Sequence, residues 1–374
     1  MKHFVVVGLA LLTSGCGGAE AATVKATPAT LEVAIRQAGP GDTIYLAPGE
    51  YGNAGVGRRR TPLTLVSADP ANPAVFRTFT VSESSDVTVE NIVVNFTPDA
   101  KTVSWSCTVN IEESQNVSFL KSRVTGGPAV SGVDVTAKGT DRTDNVIGIP
   151  TGRGVCISSS QGVTVADNEV SKFHRGFVMN RASKVILRHN DVHDMRTTAI
   201  VGSEVSDLLI EGNHLHDAHP WRWGETPAGD HADFLALWSN PNQKTPNARV
   251  SVIGNRFEQA DGKDILGMWF EGKEAAPFTD AVIAKNVFLI ANLQGILLWH
   301  TQGARIEQNI MRRVGDNPKQ SPGILLRDGV TGVTMSNNTL NLIDDNSGGK
   351  NRQDHNQFTN KLIKPEEARA LSIQ

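Results

Sequence analysis

The sequence predicts an all-β chain wound into a stack of short coils, a solenoid rather than a globular domain. Three observations lead there. An asparagine closes a β-rich phrase again and again: VTVADN at Asn168, VILRHN at Asn190, LLIEGN at Asn213, VSVIGN at Asn255, AVIAKN at Asn286, ARIEQN at Asn309 and VTMSNN at Asn338. The shortest gaps, 190−168=22 and 213−190=23, match one strand-turn-strand-turn coil. A second phrase, Gly176-Phe177-Val178-Met179, returns as Gly295-Ile296-Leu297-Leu298 and Gly323-Ile324-Leu325-Leu326. The first two stand 190−176=14 and 309−295=14 residues before their asparagines, so register is kept between coils. Finally, 39% hydrophobic residues and 35 glycines in 374 suit a thin, turn-rich β architecture better than a helical bundle.

The elements follow in order. Residues 1–22 read as an export signal: Lys2 and His3 precede the apolar run Phe4 to Leu12, and Ala19-Glu20-Ala21 offers a cleavage site. That run is too short to span a membrane, and no later segment resembles a transmembrane helix. Leu12-Thr13-Ser14-Gly15-Cys16 leaves an alternative, lipidation at Cys16 as an outer-membrane lipoprotein. Either way the expected location is periplasmic or secreted. Residues 23–60 form a cap and first coil. Leu31, Ala34, Ile35 and Ala38 have helical spacing after Thr30, a fair N-cap, and Thr43 to Leu46 reads as a strand. A short amphipathic helix here covers the open end of a coil stack. Arg58-Arg59-Arg60 reads as a solvated loop.

The entry segment Ala38-Gly39-Pro40-Gly41-Asp42-Thr43-Ile44-Tyr45-Leu46-Ala47-Pro48-Gly49-Glu50-Tyr51 resembles that of secreted right-handed parallel β-helix proteins, the pectin-lyase-like solenoids. It looks especially like the chondroitinase B and alginate lyase family. The resemblance implies a right-handed parallel β-helix over residues 61–343. Residues 344–374 read as a C-terminal extension, loose from Asn346 to Asn360 and helical from Lys364 to Ile373.

Strand alternation puts Phe177, Met179, Ile296, Leu298, Ile324 and Leu326 inside. It puts Val178, Asn180, Leu297, Trp299, Leu325 and Arg327 outside. The asparagines are expected to stack along the axis and satisfy turn backbone groups. Cys107 and Cys156 lie in β-like phrases, and either a disulfide or two buried thiols fits them.

The gap 255−213=42 carries about 20 extra residues, and insertions in repeat folds become loops on one face, often the binding face. This one leads into Gly229-Asp230-His231-Ala232-Asp233-Phe234. Aligning Phe234 with Phe177 and Ala236 with Met179 throws His231 and Asp233 outward together. An imidazole beside a carboxylate is the arrangement a general acid or base needs. Trp221, Arg222 and Trp223 offer a wall before it. Lys263, Trp269, Glu271, Trp299, His300 and Arg327 continue the same outward face, a candidate polymer groove or an ordinary mixed surface. His193-Asp194 and His216-Asp217 repeat at one offset (193−190=3, 216−213=3) and read first as turn structure. A metal or catalytic cluster is the rival, since His214, His216, Asp217 and His219 crowd together. The spacing suits no named zinc motif, and calcium through carboxylates is left as an alternative that no recognisable loop supports, so no cofactor or metal is assigned.

Net charge is −3 and no nucleic-acid motif occurs, so nucleic acid is not the expected partner. The Asp230-His231-Ala232-Asp233 phrase resembles His-x-Asp strand phrases of β-helix polysaccharide lyases and, more loosely, the Asp-Pro-His phrase of mannuronan C5-epimerases. Here no proline separates Asp230 from His231. The expectation is a polysaccharide lyase acting on an acidic, uronate-containing polymer. His231 would be base or acid, Asp233 its orienter, and Asp230 a further catalytic carboxylate. Lys263 or Arg222 would neutralise the uronate carboxylate. The tryptophans would hold sugars, with Glu271, His300 and Arg327 beside them. A C5-epimerase, a glycoside hydrolase using a carboxylate pair, and a non-catalytic glycan-binding coil are the alternatives.

Overall fold

The structure, a computed structural model, describes residues 21–136, 144–221 and 229–363, together with residue 367. The export-signal residues up to 20 and most of the expected helix after Lys364 lie outside the described residues. Among the described residues no helix is long and apolar enough to cross a membrane.

One sheet of 34 strands runs through the described residues, and the strand pairings within it are parallel. Each strand pairs with its counterpart one coil earlier and one coil later, so the pairings separate into three columns, the three faces of a parallel β-helix. One face contains Cys107–Glu112, Arg153–Ser158, Asp233–Trp238, Leu266–Glu271, Gln294–Trp299 and Gly323–Leu326. Rows of like residues fill the interior, as alternation requires. Phe177, Ile200, Leu235, Met268, Ile296 and Ile324 stand in register on successive coils, all buried.

That row corrects the expected alignment around Phe234. Leu235, not Phe234, takes the place of Phe177, and Leu237, not Ala236, that of Met179. Ala236 instead joins the outer row of Val178, Val201 and Trp269. Phe234 is also buried, against Phe257 at 6.2 Å between ring centroids. Two consecutive side chains therefore enter the core. On neighbouring coils the residue before the row is Gly176, Ala199, Gly267 or Gly295. These small residues are required: a Cβ on Gly176 would meet the Ala199 carbonyl oxygen at 2.5 Å. The coil with the long insertion carries a buried phenylalanine there instead.

The asparagines stack inside the turn, as expected. Oδ1 of each accepts both the backbone N–H and the Nδ2 of the preceding one, at 2.9–3.1 Å from Asn168 through Asn338. Their Nδ2 groups also donate to backbone carbonyls such as Val165 O and Leu187 O, so buried turn groups find partners that water cannot supply. The column continues where a loose extension was expected: Asn338 donates to Asn356 Oδ1 at 3.0 Å. Strands Arg352–Asp354 and Gln357–Phe358 add a further coil on top.

At the entry, helix Leu31–Gln37 buries Leu31 and Ala34 against the first coil. Thr30 makes no side-chain cap; its hydroxyl accepts the Thr27 N–H instead. Arg59 is not the solvated residue the sequence suggests. Its guanidinium donates to the carbonyls of Ile35, Ala38 and Gly39, closing the helix C-terminus, while Arg58 pairs with Glu83 on the surface. Cys107 and Cys156 are joined as a disulfide between adjacent coils, across a separation of 49 residues. It closes an excursion begun by the antiparallel ribbon of Gly127–Pro128 and Pro150–Thr151.

Candidate functional site

His231 and Asp233 enter the first face from the insertion after Asp217. Asp233 begins strand Asp233–Trp238 and His231 lies two residues before it. Nδ1 of His231 stands 3.3 Å from Asp233 Oδ2. The imidazole side chain is 42% exposed and the carboxylate 5%, so the pair presents a ring to solvent and hides its acid behind it. The second oxygen, Asp233 Oδ1, is buried and has no hydrogen-bond partner among the described residues.

The ring of His231 forms one edge of a cleft of about 260 Å³, lined also by Leu266, Trp269, Glu271, Gln294, Leu297 and Trp299. Register explains the gathering. Ala236 pairs with Trp269 and Trp269 with Leu297; Trp238 pairs with Glu271 and Glu271 with Trp299. These are two neighbouring outward rows on successive coils, about 4.8 Å apart. The Trp269 ring centroid lies 6.1 Å from that of His231, and its buried Nε1 has no acceptor among the described residues. Expected site residues His231, Asp233, Trp269, Glu271 and Trp299 are thus brought together.

Others are not. Asp230 is fully buried, and both its oxygens are taken: Arg196 grips them at 2.8 and 2.9 Å, and the Trp221 N–H donates to Oδ2 at 2.8 Å. A carboxylate so held has no lone pair directed at a substrate, which corrects its catalytic assignment. Trp221 is buried too, and its Nε1 donates to Val135 O at 3.1 Å, so it does not offer a face to a sugar. Lys263 pairs with Asp261 at 2.7 Å and reaches His219 Nδ1 at 3.4 Å; it does not line the cleft. Arg327 is tied to Asp344 at 2.9 Å, and His300 lies in the turn after Trp299, against Gly329. Neither lines the cleft. Arg222 and Trp223 lie outside the described residues.

Two residues on this face escaped the sequence reading. Arg153 and Arg175 are register partners on adjacent coils, both partly buried. Desolvation holds each guanidinium below its usual pKa. For Arg175 the neighbouring Arg153 lowers it further and Asp233 opposes the fall. Among the described residues neither forms a salt bridge, and the buried Nε of each lacks an acceptor. Two partly buried cations on adjacent coils, with only Asp233 to offset Arg175, are unfavourable until an anion joins them. A signal was present: Arg153-Gly154 and Arg175-Gly176 repeat at 175−153=22, one coil length, each just before an inner phrase.

A family model described as a right-handed β-helix region matches residues 78–235. No curated protein sequence matches the chain. Among solved structures, the Streptococcus pneumoniae surface protein and adhesin PfbA is similar at 14% identity and a TM-score of 0.50, over 88% of this chain and 92% of that one. The A-module of the Azotobacter vinelandii mannuronan C-5 epimerase is similar at 12% identity and a TM-score of 0.52, over 89% and 94%. The Dettilon tailspike protein is similar at 9% identity and a TM-score of 0.54, over 87% of this chain and 64% of that one. At such identities the likeness speaks for the fold, a right-handed parallel β-helix.

Proposed function

We propose that this right-handed parallel β-helix acts on an acidic, uronate-containing polysaccharide, by C5 proton abstraction and β-elimination. One observation carries the reading. An exposed imidazole backed by a buried carboxylate edges a tryptophan-walled cleft, on the face that also holds two guanidiniums in no salt bridge among the described residues.

The chemistry follows from the residue types. A uronate C5–H is acidic only when its carboxylate is neutralised, so that charge developing at C5 can spread into the carboxyl group. Arg175 and Arg153 supply that neutralisation, in place of the expected Lys263. His231 takes the C5 proton through its exposed ring, and Asp233 orients the ring and balances the imidazolium. The C5–H electron pair forms a C4–C5 double bond, the C4–O bond breaks, and the departing oxygen is protonated by the imidazolium or by water. Trp269 and Trp299 hold sugar faces. Glu271 accepts hydroxyl hydrogen bonds where no carboxylate lies.

Incubation with a panel of uronate polymers tests this by absorbance in the unsaturated-uronate band. A rise that His231→Ala and Asp233→Asn abolish is expected. C5 proton exchange without a rise would instead indicate epimerisation. New reducing ends without a rise would indicate hydrolysis, and binding without product a glycan-binding coil. Full turnover by folded His231→Ala would refute the assignment.

A further inference from the structure

A second constellation lies on another face, built from strands Asp191–His193, His214–His216 and Arg256–Glu258 on three successive coils. The side chains of Asp191, His193, His214, His216 and Glu258 crowd together here. Asp191 Oδ1 lies 2.9 Å from His216 Nε2 and 3.5 Å from His214 Nδ1. One ligand atom from each of these three residues lies within 4.8 Å of the other two. Ligand atoms bound at about 2.0–2.2 Å in a tetrahedral zinc site stand roughly 3.4 Å apart, so small ring rotations suffice to make them converge.

The other nitrogen of each imidazole is the more telling feature. His216 Nδ1 faces Asp217 Oδ2 at 2.8 Å, and His214 Nε2 faces Glu258 Oε2 at 3.3 Å. Glu258 is in turn fixed by Arg256 Nε at 2.6 Å. Each ring therefore gives one nitrogen to a carboxylate and aims the other at Asp191. A carboxylate behind each ring fixes the tautomer and raises ligand basicity, the arrangement metal-binding histidines use. The rings are stacked, 4.1 Å apart at centroid and 21° from parallel, which restricts their freedom before any ion arrives. Two imidazoles and one carboxylate favour zinc, nickel or copper over calcium or magnesium, which take oxygen donors.

We propose that Asp191, His214 and His216 bind one divalent transition-metal ion of the zinc class, with Asp217 and Glu258 as the carboxylates that orient the two imidazoles. Three protein ligands leave the fourth tetrahedral position to water or to a ligand oxygen. The proposal stands on its own geometry and does not depend on the reaction assigned to the cleft.

Calorimetric titration of the chelator-treated full chain with zinc chloride tests it, followed by thermal unfolding with and without the ion. One ion per chain and a rise in Tm are expected, with no comparable response to calcium. Asp191→Asn and the double variant His214→Ala/His216→Ala should lose the site. Glu258→Gln and Asp217→Asn should keep it at about 10–100-fold weaker affinity. Circular dichroism confirms that each variant is folded; because these side chains point off the coil surface, the core is untouched. Absence of zinc binding, undiminished binding by the folded double variant, or equal affinity for calcium would each overturn the proposal.

Discussion

Asp230 shows how far a single side chain can depart from what its neighbours in sequence suggest. It sits beside His231 in a phrase rich in acid and imidazole. Its partner is Arg196, 34 residues earlier, and both side chains are buried. Removing one member of such a pair strands the other charge, so Asp230→Asn should cost about 3–5 kcal/mol in urea unfolding while the folded fraction keeps its kcat. Loss of kcat at unchanged stability would return Asp230 to the chemistry. Trp269, Glu271 and Trp299 were legible because period and alternation fix which way a strand residue faces; His231 and Asp233 rested on the Phe234 alignment, which the structure shifts by one residue and which leaves Asp233 buried. The burial of Asp230 and Trp221 was not, because it depends on contacts between distant insertions. Arg153 and Arg175 were legible in principle through their repeated Arg-Gly. If they bind the uronate carboxylate, Arg175→Ala should raise KM and lower kcat/KM, with a smaller loss for Arg175→Lys, measured on the polymer that His231 turns over.

Asp42 carries a pH prediction at the same scale. Its oxygens accept the N–H groups of Ala22 and Gly39, both at 2.7 Å, and these bonds, chiefly that from Ala22, hold its pKa below 3.8. A depressed carboxyl contributes stability above its unfolded pKa and loses it as pH falls through the folded value. Anchoring of the entry strand should therefore be complete above about pH 4 and fail in stronger acid. Asp42→Asn should flatten that acid limb of the thermal unfolding profile.

At the scale of elements, the asparagine column and the disulfide do different work. Asn255 accepts from Asn213 and donates to Ile210 O and Asn286, all inside the protein. Asn255→Ala leaves buried donors and acceptors unpaired and should cost about 2–4 kcal/mol by denaturant unfolding. The solvent-side Asn180, bonded to Ser203, should cost less than about 1 kcal/mol when truncated. The disulfide closes a 49-residue separation, and replacing both cysteines with serine should remove about 2–4 kcal/mol. The strands were readable from their phrases. The one-residue shift at Phe234 was not, since it arises from small residues on adjacent coils rather than from the strand's own pattern.

At the scale of the whole molecule, each coil touches chiefly the one before and the one after, so stability is a sum of local terms and neighbour interfaces. The two long excursions depart from that rule. Trp221 donates to Val135 O, and Arg196, held by Asp230, donates to Asp144 O. The segment that introduces His231 is thereby braced by a loop some 86 residues earlier in the chain. The C-terminal coil was missed in the sequence because its strands are short and polar, although Asn356 carries the same turn residue as the others.

The asparagine column also has a direction, since every rung donates to the next and accepts from the last. Chain length in this molecule is for that reason quantised. Excising the 23 residues from Val287 through Asn309 would bring the donors of Asn286 to the oxygen of Asn338, and the shortened protein should still melt cooperatively. Excising half of that stretch would put a turn residue where a core residue belongs, and should yield no folded product by circular dichroism. Such a scaffold tolerates gain or loss of whole turns of its winding and resists fractions of one.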